Sequence, residues 1–270
     1  MHVSSLHIYP LKGCKGHAVE SAVVEARGLA HDRRYMLVDE AGRFLTQREL
    51  PQLARLVVSG FDTNAVHLAF DEAQLDLNDA FSARLTSTLW KSVVNIAVAS
   101  DETNAALSSW FGRPVKLCYQ DETAVRHTSA NWAPEETHVS LADGYPILIS
   151  CTASLDALNA AICERAQDAG AAVPMNRFRP NEVIETKEAW IEDTWTHLKI
   201  GDVELELVKP CDRCVVVTHD QENGTPMGNE PSASLMKLRR SAHPDMSGVL
   251  FGWNAIPLNT GVLQAGTHVE

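Results

Sequence analysis

Along most of this chain apolar and polar residues alternate with a period of two, the spacing of strands whose successive side chains point to opposite faces. Short alternating or apolar runs at 2–9, 19–26, 34–39, 54–60, 65–70 and 93–98 are separated by Gly, Asp and Asn. The pattern is cleanest at 201–208, where Val203, Leu205 and Leu207 face one way and Asp202, Glu204 and Glu206 the other. Runs at 215–218 and 261–269 continue it. Strands this closely spaced favour a barrel or sandwich over a doubly wound sheet. Three stretches read as helices. Segment 152–169 places Leu155, Leu158 and Ile162 on one face, with Thr152 able to cap its start and Gly170 able to end it. Segment 102–111 is ended by Gly112 and Pro114, and 232–240 follows Pro231 and finishes on two arginines, which suits the helix dipole.

Composition narrows the class. The chain has 270 residues, 45% apolar and 21% charged, a balance typical of folded globular proteins and unlike disordered or collagenous chains. That length suits one large domain or two small ones, and the polar, Thr-rich segment 119–134 places a boundary near residue 120. No run of about 18 apolar residues is present, so no transmembrane helix is expected. The start, MHVSSLHIYPLKG, lacks the basic and apolar regions of a secretory signal, so a cytoplasmic protein without a membrane partner is expected. A net charge of −12 argues against nucleic acid as a partner, because neutralising phosphates needs a surplus of cations.

Against that negative total, the positive clusters carry information. Lys12 and Lys15 flank Gly13 and Cys14. Arg33 and Arg34 lie in AHDRRY, and Arg48 in FLTQRELP. Arg177 and Arg179 bracket Phe178, while Lys209 and Arg213 surround Cys211 and Cys214. Each lies in or near a turn signal. Arginine offers a bidentate fork to phosphate or carboxylate, and glycine lets backbone N–H groups approach the same oxygens. These loops read either as one anion pocket or as separate solvated turns.

Of six cysteines, only Cys211 and Cys214 have C-x-x-C spacing. The other four lie singly in apolar surroundings and read as inert buried thiols. A zinc site would need two further ligands at suitable spacing, and a thioredoxin-type pair should open a helix, whereas this one precedes the β-branched run Val215–Thr218. A plain buried pair remains open. The favoured reading is one reactive thiolate at the start of a strand, next to Lys209 and Arg213.

YPLKGCKG, GLAHDRRYMLVD, RFLTQRELPQLARL, NRFRPNEVIE, AWIEDTW and VKPCDRCVVVTHDQENG occur in that order. Together they resemble the MOSC family with its N-terminal β-barrel partner domain, and within it the mitochondrial amidoxime-reducing component and its bacterial counterparts. The resemblance implies an α+β, predominantly β fold. An N-terminal MOSC β-barrel-like domain would occupy 1–120 and a β-barrel MOSC domain 121–270, with few helices. It further implies a molybdenum–molybdopterin cofactor with Cys214 as the metal ligand and catalytic residue. Lys12, Gly13, Arg33, Ser150, Arg177, Arg179, Asn181, Asp212, Arg213 and the 252–254 segment with Asn254 would contact that cofactor. Pyridoxal phosphate binding is a further family-level association. Gly13 stands where relatives often have Ser, and Asp212 where they often have a small hydroxyl residue. No C-x₄-C-x₂-C run is present for a plant-type iron–sulfur domain. The implied activity is reduction of N-hydroxylated compounds (amidoximes, hydroxylamines or N-hydroxylated bases) with electrons from a separate flavin or iron–sulfur reductase. A cofactor or sulfur carrier without turnover of its own is the alternative. His31 and Asp212 are candidate proton donors by their place in motif loops.

Overall fold

The computed structural model describes residues 1–270 except Asn64, Asp79 and Asp245. The fold is α+β and mostly sheet, with few helices. Its largest unit is a curled seven-stranded sheet. The strands run in the order His197–Ile200, Val203–Arg213, Val249–Pro257, Ile147–Cys151, Glu182–Glu185, His2–Ile8 and His17–Val19. The chain's first strand therefore lies beside strands more than a hundred residues later: His2–Ile8 pairs antiparallel with Glu182–Glu185. The C-terminal residues draw the two sides of the sheet together. His268 bridges His2, and Val269 bridges Ile200. Closing a sheet on itself removes exposed edges that would otherwise pair with other chains.

The alternation at 201–208 sets the barrel's inside. Val203, Leu205 and Leu207 join Leu6, Ile8, Ile149 and Ile184 in one buried core. A four-stranded sheet in the order Tyr35–Val38, Lys116–Tyr119, Ser92–Val98 and Ala83–Leu89, and a three-stranded sheet of Val57–Ser59, Val66–Phe70 and Ala73–Leu77, build the N-terminal region. Leucines 37, 45, 50, 53 and 56 fill its core.

The helices are α1 (Asp101–Phe111), α2 (Thr152–Ala166) and α3 (Ser232–Leu238). Ser100 caps α1, accepting from the Thr103 N–H, and Gly112 ends it in the left-handed conformation. The expected caps of α2 are not used. Cys151 holds its N-cap position with no side-chain cap bond, and Gln167, not Gly170, turns left-handed at its end. The run Val215–Thr218, expected as a strand, is one 3-10 turn. The preceding strand continues to Arg213, so Cys214 follows a strand where it was expected to begin one. β-branched propensity yields here to the need to turn the chain at the end of the sheet.

Candidate functional site

One cavity of about 440 Å³ opens between the barrel and the N-terminal region. Five separate segments bring cations to it: Lys12, Arg33, Arg48, Arg177, Arg179, Lys209 and Arg213 line it, with Asp143 and Asp212 as the acids among the described lining residues. The anion-pocket reading of the sequence thus has its geometry. Lys15 and Arg34 belong to the same clusters but serve elsewhere. Lys15 pairs with Glu222, while Arg34 reaches the Gln120 carbonyl at 3.0 Å.

The loop conformations aim these side chains. Strand Val203–Arg213 pairs with Val249–Pro257 through two register shifts, between Leu207 and Lys209 and between Pro210 and Asp212. Bulges of this kind bend a strand and re-aim its side chains, and Lys209, Cys211, Asp212, Arg213 and Cys214 all reach the cavity. Arg179 ends the one-turn helix Met175–Phe178 at φ 54°, and Arg33 sits at φ 48°. Such backbone is uncommon for residues with a side chain and is held by surrounding contacts. Here both guanidinium groups lie over the Tyr9 ring, 4.2 and 4.3 Å from its centre. Arg33 donates to Asp32 at 2.7 Å and to Asn181 Oδ1 at 3.0 Å. Arg179 donates to the Cys14 carbonyl at 2.7 Å.

Lys12 is 6% exposed and ion-paired with Asp143. Burial pushes its ammonium below the ordinary lysine value, and Asp143 offsets part of that shift. Arg213 donates to Cys211 Sγ at 2.8 Å. Burial raises the Cys211 thiol, an effect the nearby Arg213 charge opposes. Asp212, a carboxylate facing a site expected to hold an anion, is paired with Lys209 at 2.6 Å, which balances its charge. Gly13 adopts φ 85°, and a Cβ there would meet Leu53 Cδ1 at 3.2 Å. Glycine is thus the residue this backbone accommodates most easily.

Of the expected site residues, Lys12, Gly13, Arg33, Arg177, Arg179, Asn181, Asp212, Arg213, Cys214 and Asn254 line the cavity. Ser150 does not. It is fully buried in strand Ile147–Cys151, close beneath Gly252. Segment 252–254 is part of strand Val249–Pro257, not a loop. His31 lies outside the lining, with its ring 5.8 Å from Phe61. Cys14, Cys118 and Cys151 are buried, and burial pushes the Cys14 and Cys118 thiols to about 11 and about 12.

Motif reading missed several lining residues. Trp90, Asp143 and Tyr145 come from turns without a distinctive signature, while Thr46 and Gln47 sit inside the RFLTQRELPQLARL motif but were not singled out. Gln47 donates to the Gly13 carbonyl at 2.8 Å and exchanges hydrogen bonds with Gln221 at 3.1 Å, tying two site loops together. Arg126, in the polar segment taken as a boundary, is buried and donates to the carbonyls of Ser140, Ala142 and Asp143. It holds the loop that presents Asp143 to Lys12.

Chemically, the cavity suits an anion with several oxygens. Among the described residues, Arg177 Nη1, Arg179 Nη2 and Arg213 Nε are buried donors without a hydrogen-bond partner. Each such donor costs about 1–3 kcal/mol unless an occupant satisfies it. Cys214 adds a thiol, a ligand suited to soft metal centres, at the same wall. Among the described residues no group of three or more His, Cys, Asp or Glu could hold a metal ion by itself. A metal here would need ligands from its own cofactor. Pyridoxal phosphate finds no support: the two cavity lysines, Lys12 and Lys209, are committed to Asp143 and Asp212 instead of standing free to form an imine. No helix of the described residues is long and apolar enough to cross a membrane.

Two families match this chain. The MOSC N-terminal β-barrel domain covers residues 1–114 and the MOSC domain residues 136–270. Mitochondrial amidoxime-reducing component 1 of Danio rerio is 28% identical over 99% of this chain and 83% of its own length. Mitochondrial amidoxime-reducing component 2 of Rattus norvegicus is 30% identical, over 99% and 82%. Molybdenum cofactor sulfurase of Oryza sativa is 26% identical over 95% of this chain, which spans 33% of that longer protein.

Proposed function

Because the chain belongs to the MOSC-domain family with an N-terminal MOSC β-barrel, we propose that it is a molybdenum-cofactor-dependent reductase of N-hydroxylated compounds. Amidoximes, hydroxylamines and N-hydroxylated bases are its substrate class, and a separate flavin or iron–sulfur protein supplies its electrons. The observation that carries this reading is the convergence of seven cations on a cavity walled by Cys214, three of them holding a buried donor with no hydrogen-bond partner among the described residues. When bound, the cofactor supplies the two-electron chemistry that cleaves an N–O bond.

The protein's own residues do the rest. Cys214 would hold the metal. Arg177, Arg179 and Arg213 have the open N–H positions to receive the cofactor's anionic oxygens. Lys12, Gly13, Arg33, Asn181 and Asn254 would form the walls around its polar edges. Asp143 and Asp212 moderate the positive field, each through a lysine partner. Of the two residues considered as proton donors, Asp212 lies in the cavity, where it is paired with Lys209, and His31 lies outside the lining. The relatives named amidoxime-reducing components are matched over 82–83% of their length, against 33% of the sulfurase, which favours turnover over a carrier role. The sulfurase relative keeps the carrier as the second reading.

The test is metal analysis of protein from a host with intact molybdopterin synthesis, beside Cys214→Ala, followed by benzamidoxime turnover with an artificial electron donor. Near-stoichiometric molybdenum and turnover in the wild type, with turnover abolished in the variant, is the expected result. Loaded protein without turnover would support the carrier, and zinc or no metal would reject the reductase.

A further inference from the structure

The resemblance leaves two cavity cations without a role, Arg48 and Lys209, and Lys209 is paired with Asp212. Arg48 is exposed, and among the described residues it makes no ion pair within 4.0 Å. Its guanidinium lies over the Trp90 ring, 4.9 Å from its centre, and Arg48 and Cys214 line the same cavity and interact electrostatically. Trp90 is itself held. It occupies the turn between strands Ala83–Leu89 and Ser92–Val98 at φ 54°, its indole N–H reaches Asp143 Oδ1 at 3.4 Å, and Phe44 packs 4.8 Å away. At 40% exposure, Trp90 forms a shelf at the cavity mouth. A guanidinium carries five N–H donors in a planar fork. Arg48 therefore offers fixed donors and a fixed positive charge at the solvent side of the proposed metal ligand.

The reaction class changes the charge of its organic partner. An amidoxime takes up two electrons and two protons, its N–O bond breaks, and an amidine and water leave. The electrons come from the separate flavin or iron–sulfur reductase. Oxygen on nitrogen withdraws electrons and keeps the amidoxime neutral at ordinary pH, whereas the amidine is a strong base and takes a further proton. A fixed cation at the reaction centre can donate to the neutral substrate's oxygen and repel the cationic product.

We infer that Arg48, braced on Trp90, is a substrate-binding and specificity-determining residue: it orients the N–O oxygen toward the Cys214 side of the cavity and disfavours the protonated product. This rests on the reductase reading. It assigns Arg48 to substrate rather than cofactor, and it explains why this cation is exposed and without an acid partner while Lys12 and Lys209 are paired.

The experiment uses molybdenum-loaded protein with benzamidoxime as substrate and benzamidine as product, comparing wild type, Arg48→Gln and Arg48→Lys. Molybdenum content and thermal midpoint come first, then KM and kcat, then benzamidine affinity by calorimetry without turnover. Arg48→Gln keeps its molybdenum, raises the KM for benzamidoxime about tenfold and binds benzamidine about tenfold more tightly, on the scale of one charge-assisted hydrogen bond and one like-charge contact. Arg48→Lys keeps the weak benzamidine binding of the wild type, because the charge remains, while its KM lies in between. A folded Arg48→Gln protein that loses molybdenum would make Arg48 a cofactor contact and overturn the inference. Unchanged benzamidine affinity would also overturn it, with the reductase reading intact. A fully loaded wild type that does not reduce benzamidoxime would sink the reductase reading first, and this inference with it.

Discussion

Glu182 offers the sharpest test of the physical reasoning, because the barrel core holds its carboxyl with no hydrogen-bond partner among the described residues. Strand Glu182–Glu185 lies between Ile147–Cys151 and His2–Ile8, and Glu182 stands opposite both Leu6 and Ile149. Directly opposed residues share a face, and Leu6 and Ile149 belong to the barrel core. Glu182 is fully buried, and neither carboxylate oxygen finds a hydrogen bond among the described residues. Desolvation alone pushes its pKa from 4.5 to about 8. Below the unfolded value both states hold the proton. Between that value and about 8 only the folded state holds it, so stability falls as pH rises, and above about 8 this contribution levels off. At about 1.36 kcal/mol per unit, the loss between pH 5 and pH 8 is about 4 kcal/mol. For a chain of this size that corresponds to roughly 8–16 °C in Tm. Glu182→Gln is neutral throughout and close to isosteric. The measurement is thermal unfolding by circular dichroism from pH 5 to 9 on both proteins, plotted as the difference in Tm so that other titrating groups cancel. The variant is expected near wild type at pH 5 and progressively more stable up to about pH 8. Parallel curves would refute the argument, since they would mean that Glu182 is ionised and satisfied in the folded state.

The remaining predictions concern the site's supports. Gly13→Ala forces a side chain onto φ 85° and against Leu53, and should cost about 1–2 kcal/mol in denaturant unfolding. Arg126→Met leaves the carbonyls of Ser140, Ala142 and Asp143 without their donor. A loss of about 3 kcal/mol is expected, with faster amide exchange confined to residues 139–144. Phe178→Ala removes a fully buried ring stacked 3.8 Å from Phe251, with the Arg213 guanidinium over it. It should cost about 3–5 kcal/mol, read by thermal unfolding.

Particular residues show where sequence reading reached and where it stopped. The period of two identified a β-rich protein because each half-buried strand must solve the same local problem. It could not reveal that His2–Ile8 pairs with Glu182–Glu185, since strand pairing is a long-range choice set by core packing. The strands Ile147–Cys151 and Glu182–Glu185 were missed for a related reason. They are buried on nearly every position and show no alternation. Val215–Thr218 misled in the opposite way, its β-branched residues serving a turn.

The cations were legible one by one, as Arg and Lys in turn-rich loops of an acidic chain, and Cys214 by its spacing and family motif. Their convergence was not. It depends on the bulges at Lys209 and Asp212, the left-handed turns at Arg33 and Arg179, and the Gln47–Gln221 clasp between loops 174 residues apart. Trp90 and Asp143 carry no local signal at all. The sequence by itself determined which chemistry is available: the soft thiolate, the arginine forks and the β-forming periodicity, all properties of single residues or short runs. Only the tertiary structure decided which cations share a cavity, which ones an acid neutralises, and which face the opening. Those outcomes depend on distances and burial, which arise only when distant segments pack together.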